Sequence, residues 1–179
     1  MNSRSWLPSS RTVVLALAVL LTAGCGFKPV NTAEMPFPTL YVNEGAYSSF
    51  GGEFKRFVES NSRSTTLTQT PAQADVVLEI LREDQRMQIL SLNAEGRVQE
   101  YLLRYWVTFR LKDKSGKVLI PADTIVLERD MTYDDDIALA KENEQAFLYR
   151  DMQRDAVQQL VRRLSVANFT PTAAAASGG

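Results

Sequence analysis

The sequence predicts an α+β domain, a two-layer sandwich in which a four-stranded mixed sheet carries two helices on one face. Residues 100–112 alternate apolar and polar side chains, which is the period of a half-buried strand. Residues 50–61 and 135–164 instead carry apolar side chains at helical spacing. The order of the elements, β-α-β-β-β-α, favours a parallel pair of strands across the first helix and an antiparallel meander after it.

The first half of this domain holds a strand, a helix and a second strand. Residues 40–42 are the first strand candidate. The helix over residues 50–61 shows one apolar stripe, formed by Phe50, Phe54, Phe57 and Val58. Residues 74–82 alternate and predict the second strand, for which we consider a bent extension as far as Leu92.

The third strand shows the clearest alternation in the chain. One of its faces is apolar or aromatic throughout: Tyr101, Leu103, Tyr105, Val107, Phe109 and Leu111. A turn over residues 112–117 leads into a fourth strand over residues 118–120 and 124–133. Pro121 interrupts this strand and marks a sheet edge or a bulge.

The last element is a long helix over residues 135–164. Acidic residues at its start, Asp134 to Asp136, and basic residues at its end, Arg162 and Arg163, complement the helix dipole. One apolar row is expected in the core: Leu148, Met152, Ala156, Leu160 and Leu164. The three aspartates could also bind a divalent cation, but consecutive carboxylates point in different directions, so we favour the helix start.

The first 24 residues have the form of a secretory signal. Basic residues precede nine apolar residues, Val13 to Leu21, which are too few to span a bilayer, since a spanning helix needs about 20. The run Thr-Ala-Gly-Cys that ends at Cys25 resembles the bacterial lipobox. We therefore expect Cys25 to carry a diacylglycerol and a fatty acyl chain, and Gly26 favours the outer membrane as its destination. The alternative for Cys25 is a buried free thiol.

The chain thus divides into four segments. They are a signal peptide at residues 1–24, a lipidated N-terminus and tether at 25–37, an α/β domain at 38–165 and a disordered tail at 166–179. Prolines and the absence of an apolar period indicate the tether, and low complexity indicates the tail.

The residue inventory argues against an enzyme. The chain has no histidine and a single cysteine, which removes the nucleophile arrangements that depend on a histidine base. We therefore expect no catalytic residues, no metal and no cofactor besides the acyl chains on Cys25. The formal net charge of −1 does not favour nucleic acid as a partner.

The second face of the third strand is basic and aromatic. Its candidates for a ligand or interface role are Arg104, Trp106, Arg110 and Lys112. Guanidinium groups pair with phosphate, and both Trp and Arg are enriched in protein interfaces. The residues alone leave three alternatives open: an anion site, a protein interface, or a solvated face.

Four stretches of the chain, in order, resemble the LptE family of LPS-assembly lipoproteins. They are TAGCGF at residues 22–27, Glu100-Tyr101 after Gly96, ALAKENEQ at residues 138–145 and QLVRRL at residues 159–164. The third stretch is the most specific of the four. The resemblance covers nearly all of the chain from Cys25 to Leu164.

The resemblance implies a function and a set of partners. It implies a lipoprotein, anchored by Cys25 on the periplasmic side of the outer membrane, that plugs the lumen of the LptD barrel in a 1:1 complex. Such a protein supports LptD assembly, binds lipopolysaccharide and helps deliver it to the outer leaflet. Lys141 matches the family's lipopolysaccharide-linked lysine. At the second basic position of the family this chain has Ala94, so Arg97, the nearest basic residue, is our candidate there.

A second function class remains possible. The protein could be a periplasm-facing lipoprotein that binds another cell-envelope ligand, such as peptidoglycan, without a barrel. Only the barrel plug predicts stable co-purification with a large outer-membrane barrel.

Overall fold

A five-stranded mixed sheet with two α-helices packed against it forms the frame of the protein. The computed structural model describes residues 34–45 and 48–170. Within them the elements are β1 (Thr39–Asn43), α1 (Ser49–Asn61), β2 (Thr66–Leu67), β3 (Val76–Leu92), β4 (Val98–Asp113), β5 (Val118–Thr132) and α2 (Ala138–Ser165). None of the helices in these residues is long and apolar enough to cross a membrane.

The predicted fold class is confirmed, but the predicted number of four strands is wrong. The fifth strand is β2, which pairs in parallel with β1 and gives the order β2-β1-β3-β4-β5. It has two residues, so it cannot display an alternation that sequence reasoning would detect. The parallel pair across α1 is present, with Leu40 opposite Val76, and β3, β4 and β5 form the antiparallel meander.

The alternation of β4 builds the core. Five of its residues are fully buried: Leu103, Tyr105, Val107, Phe109 and Leu111. They share one apolar cluster with the buried side chains of both helices, so both helices lie on this face of the sheet. Each side chain of this size stabilises the fold by about 1.5–3 kcal/mol relative to an exposed one.

The extension of the second predicted strand to Leu92 is confirmed, and the two parts of the fourth predicted strand join into one. β3 runs without a break to Leu92, and β5 is continuous through Pro121. The β4–β5 register shifts between Phe109 and Leu111, opposite Pro121, which confirms the predicted bulge at this edge strand.

The last helix begins later than predicted. Residues Asp135–Ile137 form a 3₁₀ turn, and α2 starts at Ala138. Leu148, predicted in the buried row, is only partly buried. The other four predicted residues are buried, and Tyr149, Val157 and Val161 join them, because α2 lies flat on the sheet and buries a stripe wider than one row.

One carboxylate fixes α1 to the sheet. Glu83 of β3 accepts hydrogen bonds from the Ser48 and Ser49 hydroxyls at 2.9 and 3.0 Å and from the Phe50 amide at 3.1 Å. It also accepts one from the buried Tyr105 hydroxyl at 2.8 Å. An anionic group at a helix N-terminus is favoured by the dipole and by the unpaired amides there.

Both ends of the domain extend beyond the predicted boundaries of 38 and 165. Met35 and Phe37, placed in the tether by the sequence, are buried in the core. Phe169, placed in the tail, packs edge-on against Phe37 with ring centroids 6.1 Å apart. Single aromatic residues in a low-complexity context show no period, so their burial was not predictable. The predicted signal peptide and lipidated Cys25, like residues 26–33, 46–47 and 171–179, lie outside the described residues.

Candidate functional site

The first candidate surface is the outer face, defined as Arg104, Trp106, Thr108, Arg110 and Lys112 on the side of β4 opposite the helices. Its basic residues have acidic partners. Arg110 and Lys112 both donate to the Glu79 carboxylate, at 2.7 and 2.9 Å. Arg104 donates to Glu128 of β5 at 2.7 Å. The outer face is therefore a set of paired charges rather than a free cationic patch.

Glu79 binds two cations on the outer face, whereas Glu128 binds one. Burial alone would raise the pKa of its carboxyl group, but the hydrogen bonds from Lys112 and Arg110 outweigh burial and hold the pKa below its usual range. Glu79 therefore stays ionised at neutral pH and keeps both cations in place.

Trp106 lies in the middle of the outer face. The guanidinium of Arg86, from β3, stands 5.6 Å from the centroid of its ring. Beside it on β5, Val126 is 56% exposed. The face is thus amphipathic, as the sequence predicted. Sequence reasoning missed Arg86, because only the β3–β4 register brings it opposite Arg104, beside Trp106.

The second candidate surface is the distal end, where the β3–β4 hairpin meets the start of α2. The Tyr133 amide donates to the Gln99 carbonyl at 2.8 Å, and the rings of Tyr101 and Tyr133 lie edge to face at 5.1 Å. These contacts hold the hairpin close to the residues that lead into α2. They bring Arg97 and Lys141 to the same end of the molecule.

Lys141 is the less exposed of these two candidates. Its side chain is 12% exposed, and its ammonium donates to Glu144 at 2.8 Å and to the Thr132 hydroxyl at 3.2 Å. The ammonium group is therefore held at the junction of β5 and α2. A phosphate that binds it must compete with the Glu144 carboxylate.

Arg97 lies in the hairpin turn. Gly96 there has φ +80°, and the Arg97 and Glu95 amides both donate to the Asn93 side chain, at 2.9 and 3.1 Å. The exposed Arg97 side chain lines an open cleft together with Tyr133 and residues 134–136.

The three aspartates at residues 134–136 start the 3₁₀ turn. Asp134 accepts the amide of Asp136 at 3.0 Å, which is a capping contact. Across residues 34–45 and 48–170, no group of three or more acidic, cysteine or histidine side chains is placed to hold a metal ion. The aspartates therefore cap and begin the 3₁₀ turn that precedes α2, rather than the first turn of α2 itself.

Comparisons with known proteins agree with this fold. The family model described as LptE, lipopolysaccharide-assembly, matches residues 37–164. The LPS-assembly lipoprotein LptE of Yersinia enterocolitica serotype O:8 is 33% identical, with 87% of this chain and 75% of that protein covered. Its counterpart in Pectobacterium atrosepticum is 30% identical, with 88% and 85% covered.

A solved structure shares the architecture. An uncharacterized lipoprotein B from Nitrosomonas europaea, determined by NMR, superimposes with a TM-score of 0.69 at 33% identity, with 78% of this chain and 90% of that chain covered. The family model and the Yersinia relative are both named for lipopolysaccharide assembly. The family match spans most of the described domain, so this chain belongs to the LptE family of lipopolysaccharide-assembly lipoproteins.

Proposed function

We propose that this protein is an outer-membrane lipoprotein that plugs the LptD barrel, supports its assembly and helps deliver lipopolysaccharide to the outer leaflet. The observation that carries the proposal is the family match over residues 37–164. The acyl chains on Cys25 anchor the protein on the periplasmic side, and its domain enters the barrel lumen. More than one acyl chain is needed for stable anchoring.

The outer face supports the plug. The lumen of an outer-membrane barrel is polar, so a protein inside it needs a surface that tolerates water and polar contacts. The ion pairs Arg110–Glu79 and Arg104–Glu128 provide such a surface without a large net charge. Trp106 adds an aromatic anchor of the kind that is enriched in interfaces.

The distal end supports lipopolysaccharide binding. Lipopolysaccharide carries phosphates beside acyl chains, and ammonium and guanidinium groups bind phosphate through charge-assisted hydrogen bonds. We assign this role to Lys141, with Arg97 as the second contact. The exposed Leu139, at the start of α2, offers an apolar surface near Lys141.

Affinity purification from detergent-solubilised outer membranes tests the plug. The protein carries a tag after Gly179, and mass spectrometry identifies what is eluted. We expect a stoichiometric outer-membrane barrel of the LptD type. An eluate that contains the lipoprotein alone would favour the barrel-independent alternative. The Cys25→Ala variant is the control for anchoring, and we expect it to leave the outer-membrane fraction.

A further inference from the structure

The side of β3 away from β4 is open over about half of its length. β1 pairs only with residues Val76 to Glu79, at the beginning of this strand. The start of α1 then lies against Glu83. From residue 85 to residue 92, no strand in the described part of the chain pairs with this side of β3.

This open edge, residues 85–92, lacks the features that protect sheet edges. Natural edge strands are kept short or carry prolines and charges that prevent pairing with another chain. β2 has two residues, and β5 contains Pro121 and four charged residues: Asp123, Glu128, Arg129 and Asp130. The open edge has a single charge, Arg86, and no proline or glycine.

The side chains of the open edge are apolar and exposed. Met87, Ile89, Leu90 and Leu92 are 44%, 58%, 48% and 54% exposed. The six residues from Met87 to Leu92 carry no charge, and such a segment at a free edge favours strand pairing. An open cleft between Gln85 and the α2 residues Gln145, Tyr149 and Gln153 lies beside it. Side chains of an added strand would enter this cleft.

Residues 26–33 and 171–179 are too short to cover the open edge. The contact between Phe37 and Phe169 holds both ends of the domain near the beginning of β3. Met87 lies eleven residues farther along the strand, which is about 36 Å. Residues 26–33 and 171–179 span at most about 28 and 32 Å when fully extended, so neither can reach Met87 and also pair beyond it.

We propose that the open edge receives an extended, uncharged segment of the barrel partner, which adds to the sheet as a further strand. Main-chain hydrogen bonds supply the affinity in this mode, and alternate side chains supply the specificity. The inference rests on the proposed function, in which residues 1–24 are removed and the barrel encloses the protein. Enclosure also keeps a second copy of this chain away from the edge.

Hydrogen–deuterium exchange tests the proposal on the complex isolated from membranes and on the isolated lipoprotein. In an edge strand, about half of the amides face outward and exchange fast. We expect exchange at residues 85–92 to slow by about tenfold or more in the complex, and more than in β5. Equal rates in the complex and the isolated protein would overturn the inference and leave the proposed function intact. Absence of a barrel from the preparation would overturn both. Protection that rises with the concentration of the isolated lipoprotein would assign the edge to a second copy.

Two proline variants test the edge independently. Of two successive residues, one directs its amide toward β4 and the other toward the open side, so Met87→Pro and Gln88→Pro differ in effect. We expect one of them to keep the wild-type melting temperature and to recover the barrel about tenfold less efficiently. Met87→Ala and Gln88→Ala keep the amide and are the matched controls. Wild-type recovery by the folded proline variant would overturn the proposal. If neither variant folds, the exchange measurement decides.

Discussion

At the scale of single residues, two carboxylates connect separate elements of this fold, and sequence patterns do not reveal either of them. Glu79 binds two cations on the outer face, and Glu83 binds the start of α1 on the other side of the sheet. Their partners are 31–35 residues away in the chain, or 22 in the case of Tyr105. The contacts of Glu79 with Arg110 and Lys112, and of Glu83 with Tyr105, therefore depend on the β3–β4 register.

Glu79→Gln should reduce stability at neutral pH and have little effect in acid. The pKa of Glu79 is lowered in the folded protein, so its contribution is present above the ordinary glutamate value of about 4.3 and is lost as the pH falls below it. We expect a loss of about 1 kcal/mol at pH 7, allowing for partial exposure. Urea unfolding of the wild type and the variant at pH 7 and at pH 3.5 measures the loss of unfolding free energy at each pH. Glu128→Gln, which removes one exposed pair, is the control, and an equal loss in both variants would contradict the special role of Glu79.

Tyr105→Phe should reduce stability at pH 8 but not in strong alkali. Burial, followed by the neighbouring Glu83 carboxylate, raises the pKa of the Tyr105 hydroxyl far above its ordinary value. Above about pH 10 the unfolded chain loses this proton while the folded protein keeps it, so stability falls as the pH rises. The wild type should be about 1 kcal/mol more stable at pH 8 and lose this advantage by about pH 11. Urea unfolding of the wild type and Tyr105→Phe from pH 8 to pH 11 measures this change. A difference in unfolding free energy that stays constant over this range would contradict the raised pKa of Tyr105.

At the scale of elements, α1 illustrates how a tertiary contact overrides helix propensity. A Cβ on Gly51 would overlap the Glu44 carboxylate, which binds Lys55 at 2.6 Å, whereas a Cβ on Gly52 meets only Arg56 at 3.6 Å. Alanine in a helix is favoured over glycine by about 1 kcal/mol. Gly52→Ala should therefore stabilise the protein by about 0.5–1 kcal/mol.

Gly51→Ala should destabilise the protein by about 1 kcal/mol, because Glu44 must leave Lys55 and its site beside the helix. Thermal or urea unfolding of the two glycine variants makes the comparison. Adding Glu44→Ala to Gly51→Ala should restore most of the loss. Equal stabilisation by both alanines would show that Glu44 moves aside at no cost.

The elements also show what the sequence could predict. Alternation in β4 predicted its buried face, and the apolar stripes predicted both helices, because these signals lie within one element. The two residues of β2 carry no period. The pairing of Arg104 with Glu128, and the position of Arg86 beside Trp106, depend on how separate strands align, which periodicity within a single strand does not determine.

At the scale of the whole molecule, the two ends of the described domain lie far apart. The chain enters the domain at Phe37, beside Phe169, while the distal end lies beyond the 28 residues of α2, a length of about 42 Å. The proposed lipopolysaccharide contacts, Lys141 and Arg97, are thus both at the end of the domain opposite Phe37.

This arrangement predicts that Lys141 and Arg97 act together in binding lipopolysaccharide. Each alanine variant should weaken binding about tenfold or more, since a hydrogen bond to a charged group contributes about 1.5–3 kcal/mol. Titration of the purified variants with lipopolysaccharide measures the affinity, and thermal unfolding confirms that they are folded. Lys112→Ala is the control, because its side chain binds Glu79 far from the distal end. Unchanged affinity in a folded Lys141→Ala variant would remove Lys141 from the site. A loss confined to Lys141→Ala would show that Arg97, which faces three aspartates across its cleft, does not replace the family's second basic contact.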